Sequence, residues 1–278
     1  MLGILLTSLA TFFGEIGDLV GKKQAGMGRQ DALAMGFFNY FWAGVIFLAV
    51  VIYKSTFAFS IGSLPTFIPR AILEIVQTHL MMLAIIRADR STYGFIRVLT
   101  MPLLLCVDLL LGYALSSHQI FGIGVIAFTL LVIFLSDKVG KKGRWLVLAT
   151  AVNAAATTSL FKYDITHYNS VEAEQLIITV ILLIYFWIAG LMFSGKNNFK
   201  RMFSSRIFFF QSLIQGFAGA VESFAYPFAP ASIIMAVKRS SATTWSMLSG
   251  QFVFSEKNFA FKASLLVLLI GGIVLLAV

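Results

Sequence analysis

Residues 171–194 read VEAEQLIITVILLIYFWIAGLMFS, and this stretch decides the fold. From Leu176 to Phe193 it contains no charged residue, and a helix needs about 20 apolar residues to cross the hydrocarbon core of a bilayer. A backbone in lipid must satisfy its hydrogen bonds internally, which a helix does within a single segment. The stretch therefore predicts a transmembrane helix.

The same pattern recurs along the whole chain. Of its 278 residues, 59% are hydrophobic and 12% are charged, whereas soluble domains carry about 25% charged residues. The sequence predicts an all-α membrane protein of about ten transmembrane helices, with the lipid bilayer around them. The apolar stretches fall at residues 2–21, 32–53, 64–86, 91–113, 118–136, 144–164, 171–194, 207–227, 230–251 and 260–278.

Basic residues are unevenly distributed over the predicted loops. Odd-numbered loops hold fifteen Lys and Arg residues, and even-numbered loops hold Lys54 and Lys162. Because basic residues accumulate in cytoplasmic loops, this bias predicts a multi-pass protein of the bacterial cytoplasmic membrane with both termini outside. Topology then explains the formal charge of +9, and we expect no nucleic acid partner. The first segment carries Glu15 and Asp18 and lacks a basic n-region, so we expect a first helix there and not a cleaved signal peptide.

The chain divides into two halves, residues 1–138 and 139–278, of five predicted helices each. An odd number of crossings forces the second half to enter the membrane upside down relative to the first, and such inverted repeats are typical of secondary transporters. Weak internal similarity supports the division. Residues 17–23 (GDLVGKK) end the first span, and residues 161–164 (FKYD) end the sixth in a similar way. Likewise, Leu111-Gly112 precede His118 much as Ser249-Gly250 precede Glu256.

Two adjacent cations interrupt the ninth predicted span. Lys238 and Arg239 lie roughly 12 Å below its outer end, at 1.5 Å per residue. A charge at that depth is costly, so it needs a partner, a wet cavity or a function. Adjacent residues on a helix point about 100° apart, so we expect one cation to face a cavity and the other to pair laterally. The alternative is that both pair with buried carboxylates and lock helices together.

Other ionisable residues lie inside apolar segments. Glu74 and Glu222 can approach Lys238. Such a cluster suits proton coupling, because burial raises the pKa of a carboxylate while a nearby cation lowers it. A permanently paired structural cluster is the alternative. Glu15 is a third coupling candidate. Arg97 on the fourth span lies where pseudo-symmetry sets it opposite the cations of the ninth, and its alternative role is that of a cytoplasmic anchor.

Further polar residues follow helical spacing. Arg70, Glu74 and Gln77 fall on one stripe of the third span, where Gln77 is a candidate substrate contact and Arg70 is expected at the outer interface. Asp18 is expected at the opposite interface, paired with Lys22. Uncharged polar and small residues are expected to join helices and to let them approach closely. They are Asn39, Asn153, Gln211, Gln215 and the glycines Gly216 and Gly219.

Motifs of pumps and metalloenzymes are absent from the sequence. It contains no G-x-x-x-x-G-K-[ST] phosphate loop, so uphill transport must draw on an ion or substrate gradient. There is no H-E-x-x-H, and His79, His118 and His167 lie on separate segments. Cys106 is the single cysteine, which precludes an intramolecular disulfide. We expect no enzymatic activity, no metal and no cofactor.

The late part of the chain resembles a known family. Residues 237–241 (VKRSS), 248–250 (LSG) and 255–257 (SEK) are similar to the late helix of the EamA branch of the drug/metabolite transporter superfamily, and the resemblance covers nearly the whole chain. It implies ten helices in two inverted repeats around a central cavity that carries amino acids, nucleobases, amines, sugars or drugs. His118 stands where the first repeat of the family has a glutamate, which puts the inner gate in doubt. The Lys-Arg pair of the related plastid phosphate translocators is similar to Lys238-Arg239 and implies an anionic substrate.

Two classes of function remain open at this point. The first is a secondary transporter that moves a small organic anion, or alternatively exports amino acids, amines or drugs, with a proton or ion as coupling partner. The second is a structural or assembly protein that does not transport and in which the buried charges are permanently paired. The candidate substrate contacts are Lys238, Arg239, Glu222, Glu74, Arg97, Gln77 and Trp245.

Overall fold

The computed structural model describes residues 2–26, 32–55, 57–110, 116–194, 205–228 and 231–277. Within these ranges the chain forms helices and no strands, as the apolar pattern predicts. Short 3₁₀ turns at Ile61–Ser63 and Tyr226–Phe228 and a π-helical turn at Gly190–Ser194 extend three of the helices. The α-helices are α1 (Leu2–Gly26), α2 (Ala32–Lys54), α3 (Leu64–Arg87), α4 (Arg90–Arg97), α5 (Thr100–Leu110), α6 (Ser117–Leu135), α7 (Arg144–His167), α8 (Val171–Ala189), α9 (Arg206–Ser223), α10 (Ala231–Phe252) and α11 (Phe259–Ala277).

The fourth predicted span, at 91–113, is a broken helix. Val98 and Leu99 separate α4 from α5, and the N–H of Met101 donates to the carbonyl of Val98 at 2.9 Å, a tighter turn than that of an α-helix. Pro102 has no N–H with which to continue the regular ladder to Val98. The break therefore follows from the proline. The last residues of the predicted span, 111–113, lie outside the described ranges.

Six helical segments in the described ranges are long and apolar enough to cross a membrane. A seventh, Phe259–Leu275, is apolar but shorter. The chain is thus an all-helical protein with several helices of membrane-spanning length, whereas the count of ten stays a prediction. The six are Leu2–Gln24, Leu33–Lys54, Ile61–Arg87, Ser117–Leu135, Val171–Phe193 and Arg206–Phe228.

The helices pack mainly in pairs. α1 lies against α9 and α10, α2 against α8 and α9, α3 against α7, α4 against α10, and α6 against α11. The close approach of α2 and α9 depends on Gly216, since a Cβ there would lie 2.6 Å from the backbone nitrogen of Ala43. The predicted packing role is therefore confirmed for Gly216. It is wrong for Gly219, where a Cβ would meet nothing within 4 Å.

The connections gather at two opposite ends of the bundle. At the first, which we call the α7–α8 end, the N–H of Ser60 before α3 donates to the side chain of Asn169 at 2.9 Å. At the second, the α10–α11 end, Lys22 of α1 donates to the carbonyl of Ala88 before α4. There the side chain of Asn258 also donates to the carbonyl of Lys138 at 3.1 Å. The site described next lies between these two ends.

Candidate functional site

A cavity of about 290 Å³ lies inside the bundle. Its walls come from α1, α2, α3, α4, α7, α8, α9 and α10, so both predicted halves contribute. Its lining combines apolar side chains such as Phe47 and Met81 with a set of charged and polar ones. Of the residues singled out from the sequence, Glu15, Glu74, Gln77, Arg97, Glu222, Lys238 and Arg239 line this cavity.

Trp245 is not part of the cavity lining. Its side chain is 42% exposed, and its ring meets that of Phe12 edge to face with centroids 5.3 Å apart. It lies two helical turns beyond Lys238, where α10 packs on α1. The prediction that Trp245 contacts a substrate has no support in this geometry.

Lys238 and Glu222 form an ion pair within the cavity. The Lys238 ammonium donates to the Glu222 carboxylate, and both side chains remain about one-fifth exposed to the cavity. Glu74 lines the same cavity, so the three residues of the expected cluster do come together. The expectation that one cation faces the cavity and the other pairs laterally is wrong, because Lys238 and Arg239 both line the cavity and it is the paired Lys238 that is more exposed to it.

Arg239 is buried without a carboxylate partner in the described residues. It is 1% exposed, and its Nε and Nη2 atoms have no hydrogen-bond acceptor among those residues. Arg97 of α4 lines the cavity beside it, and its Nη1 donates to the Tyr93 hydroxyl at 2.6 Å while its Nε has no acceptor. Arg97, Lys238 and Arg239 all line this cavity, and α4 packs against α10. The expectation that Arg97 faces the cations of α10 is thus consistent with the structure.

Arg70 anchors a buried ionic network at the α7–α8 end. It is 1% exposed, donates to the fully buried Glu174, and lies 3.8 Å from the Glu74 carboxylate. Its guanidinium also stacks on Phe161 with 4.5 Å to the ring centroid. The side chain of Arg70 is thus buried and paired inside the bundle, and its predicted depth at the outer membrane interface stays a prediction. The sequence does not mark Glu174 as a site residue, because acidic residues are common in the first turn of a helix and its partner Arg70 lies on a distant segment.

Arg90 takes the corresponding place at the α10–α11 end. It is fully buried, donates to Glu15, and has its Nη1 3.6 Å from Asp18. Asp18 is itself buried and accepts a hydrogen bond from Gln215 at 2.6 Å. The predicted Asp18–Lys22 pair is wrong, because Lys22 binds the Ala88 carbonyl and Arg90 supplies the cation.

Two of the polar residues predicted to join helices form hydrogen bonds to a neighbouring helix. Asn153 of α7 donates to Gln77 of α3 and to the Leu73 carbonyl, both at 2.9 Å. Gln215 of α9 donates to the Gly14 carbonyl of α1 at 3.2 Å as well as to Asp18. Both therefore join helices as predicted. Gln77 accepts the hydrogen bond from Asn153 and also lines the cavity.

Glu256 joins α4 to α11 at the α10–α11 end. It lies in the connection after α10 and accepts the N–H of Arg90 at 2.6 Å, the hydroxyl of Ser91, and the ammonium of Lys262 at 2.9 Å. Gly250 leaves room for it, since a Cβ there would lie 2.7 Å from the Glu256 carboxyl carbon. This contact connects the first predicted half to the second.

The Glu256 contact is expected to depend on pH. Burial raises the pKa of Glu256, but hydrogen bonds from Lys262 and Ser91 outweigh burial and hold the pKa below its ordinary value of 4.5. A depressed pKa means that the contact stabilises the protein at neutral pH and is lost as pH falls through that lowered pKa. Replacing Glu256 with glutamine should cost about 2 kcal/mol at pH 7. Thermal unfolding of both proteins should show that difference shrink below pH 4.5, and a difference independent of pH would contradict the assignment.

Comparison with known proteins informs the fold. No protein-family model and no curated protein matches the chain. A solved structure described as "Crystal structure of protein" superposes with a TM-score of 0.55 at 12% identity, over 97% of this chain and 95% of that one. At that identity the likeness concerns the fold alone. Nearly the whole chain therefore adopts a helix arrangement found in another protein.

Proposed function

We propose that this chain is a secondary transporter that moves a small organic anion across a membrane by alternating access. The observation that carries the proposal is the charged cavity of about 290 Å³ inside an apolar helical bundle. Ionisable groups at membrane depth are expensive and mark substrate or ion pathways. Transporters place such sites at the interface between two repeats. In the proposed arrangement the halves are residues 1–138 and 139–278, as in the EamA-type transporters that the sequence resembles.

Ten spans are part of the proposal. α7 and α10 have 24 and 22 residues, which suffices for the roughly 20 that a crossing needs. Both are more polar than an ordinary span because they carry cavity residues such as Thr157 and Lys238. α4 and α5 together form the fourth span, and discontinuous helices next to a central site are common in transporters. Both termini then lie on the outer side of the bacterial cytoplasmic membrane.

The packing of helices supports the inverted repeat. If α1 to α3 correspond to α7 to α9, the contact of α1 with α9 has its counterpart in the contact of α3 with α7, and both are extensive. α2 and α8, and α6 and α11, each pack on their own counterpart. The hydrogen bonds between these helices repeat as well. Gln215 of α9 donates to α1, and Asn153 of α7 donates to Gln77 of α3.

The charges in the cavity favour an anionic substrate. Glu222 compensates Lys238, whereas Arg97 and Arg239 have no carboxylate partner in the described residues. Glu74 has the loosest ion pair of the three coupling candidates, at 3.8 Å from Arg70, while Glu15 and Glu222 each hold a cation closely. Glu74 is therefore the proposed carrier of a coupling proton. The same carboxylate, facing the cavity, supports export of amines or amino acids as the second candidate function.

Transport is tested with purified protein in proteoliposomes adsorbed on a solid-supported membrane. Jumps in the concentration of carboxylates, phosphate esters, amines and amino acids should produce saturable charge displacement with at least one anion. The Glu74→Gln variant should lose the dependence of that signal on a proton gradient. Signals confined to amines or amino acids would favour the second candidate, and silence across all compounds would favour a structural protein.

A further inference from the structure

Two arginines of the cavity, from different helices, have unused hydrogen-bond donors. Arg239 of α10 has two buried nitrogen atoms without an acceptor in the described residues, and Arg97 of α4 has one. We propose that Arg97 and Arg239, and not Lys238, form the site that binds the carboxylate or phosphate group of the substrate. This inference rests on the proposed function and identifies the chemistry of the same cavity.

Lys238 is excluded by its partner. Its ammonium already donates to Glu222 within the cavity, and the two charges cancel. Recruiting Lys238 to a ligand would leave the Glu222 carboxylate unpaired in a partly buried position, which is costly. The adjacent Arg239 points away from this pair because neighbouring helical residues diverge by about 100°.

An oxyanion would satisfy the two arginines together. A guanidinium presents donors in a planar fork that matches two oxygens of a carboxylate or phosphate. Arg97 and Arg239 line the same cavity from two helices that pack together, so an anion between them would relieve the repulsion of their charges. The Tyr93 hydroxyl accepts a hydrogen bond from Arg97 at 2.6 Å and so holds the guanidinium of Arg97 in position.

In the protein without ligand, removing Arg239 and removing Lys238 should change the unfolding temperature differently. Arg239 carries an uncompensated buried charge, so an Arg239→Gln variant without ligand should unfold at the same temperature as the wild type or higher. Lys238→Gln alone should unfold at a lower temperature, because it leaves Glu222 without its cation. The matched control is therefore the double variant Lys238→Gln/Glu222→Gln, which removes the pair as a unit.

The experiment measures thermal unfolding of purified protein against inorganic phosphate and against acetate, at constant ionic strength. A ligand of the folded state raises the unfolding temperature. We expect one or both anions to stabilise the wild type, with apparent affinity at least about tenfold weaker in Arg97→Gln and in Arg239→Gln. The double control variant should keep the wild-type affinity within about twofold. Phosphate alone would identify a phosphate group, and acetate alone a carboxylate.

Three outcomes would overturn the inference. They are no stabilisation of the wild type by either anion, unchanged affinity in Arg239→Gln or Arg97→Gln, and loss of affinity in the control variant. Because binding is measured at equilibrium in detergent, it does not depend on transport. A protein that binds anions through both arginines and moves none would refute the proposed function alone. A protein that transports an organic anion while neither Arg97→Gln nor Arg239→Gln weakens anion binding would refute this subsite alone.

Discussion

Replacing Arg70 with glutamine is expected to cost about 3 to 5 kcal/mol of stability and to remove most of the protein from the membrane fraction. Arg70 is 1% exposed, and its loss leaves the fully buried carboxylate of Glu174 without a cation. Glutamine also cannot reproduce the stacking of the guanidinium on Phe161. Size-exclusion chromatography and thermal unfolding of solubilised protein measure the effect.

Two further variants separate the missing charge from lost packing. The double variant Arg70→Gln/Glu174→Gln removes both charges and should recover much of the lost stability, because an unpaired buried charge is the main cost. The exposed pair of Lys141 and Asp137 is the matched control, and Lys141→Gln should have no measurable effect. Wild-type behaviour of Arg70→Gln, or a double variant no better than the single one, would contradict the role of this network.

The sequence predicts the helices well because apolar length is a local property. The third span is predicted at 64–86, and α3 runs over Leu64–Arg87. Hydropathy does not predict the break between α4 and α5, because the residues around it are apolar and the missing N–H of Pro102 leaves hydropathy unchanged. α7 and α10 fall outside the six apolar segments because they carry polar residues, among them the cavity residues Thr157 and Lys238.

The sequence also predicts which residues gather in the cavity, but not how they pair. An ionisable residue in an apolar segment has few places to go, which is why Glu74, Glu222 and Lys238 meet. Pairing depends on segments far apart in the chain, so the partner of Arg70 and that of Asp18 could not be predicted from helical spacing. Arg90 is one of the basic residues of the predicted loops and Glu256 belongs to the stretch 255–257 (SEK), and neither pattern indicates that the two residues meet at the α10–α11 end.

Alternating access predicts that the cavity opens to each side of the membrane in turn. Gly219 reports on this opening, since it lines the cavity and a Cβ there meets nothing within 4 Å. Ion pairs and hydrogen bonds at Arg70 and at Glu256 join the helices at the two ends, and such contacts can break and form again. A cysteine at 219, in a background with Cys106→Ser, should therefore react nearly completely from either side.

The matched control for that cysteine is Gly271→Cys on α11. Its Cβ also meets nothing within 4 Å, but the position does not line the cavity. In the proposed arrangement it faces lipid, where a charged reagent does not reach and a thiolate does not form readily. Equal expression of the two variants makes their labelling directly comparable.

The measurement that tests the central claim most directly is labelling of Gly219→Cys with an anionic, membrane-impermeant methanethiosulfonate in right-side-out and in inverted membrane vesicles. Alternating access predicts modification in both preparations, protection by a bound anion, and no modification of Gly271→Cys. Modification from one side only, or from neither, would contradict alternating access and would make the charged cavity a permanent structural feature.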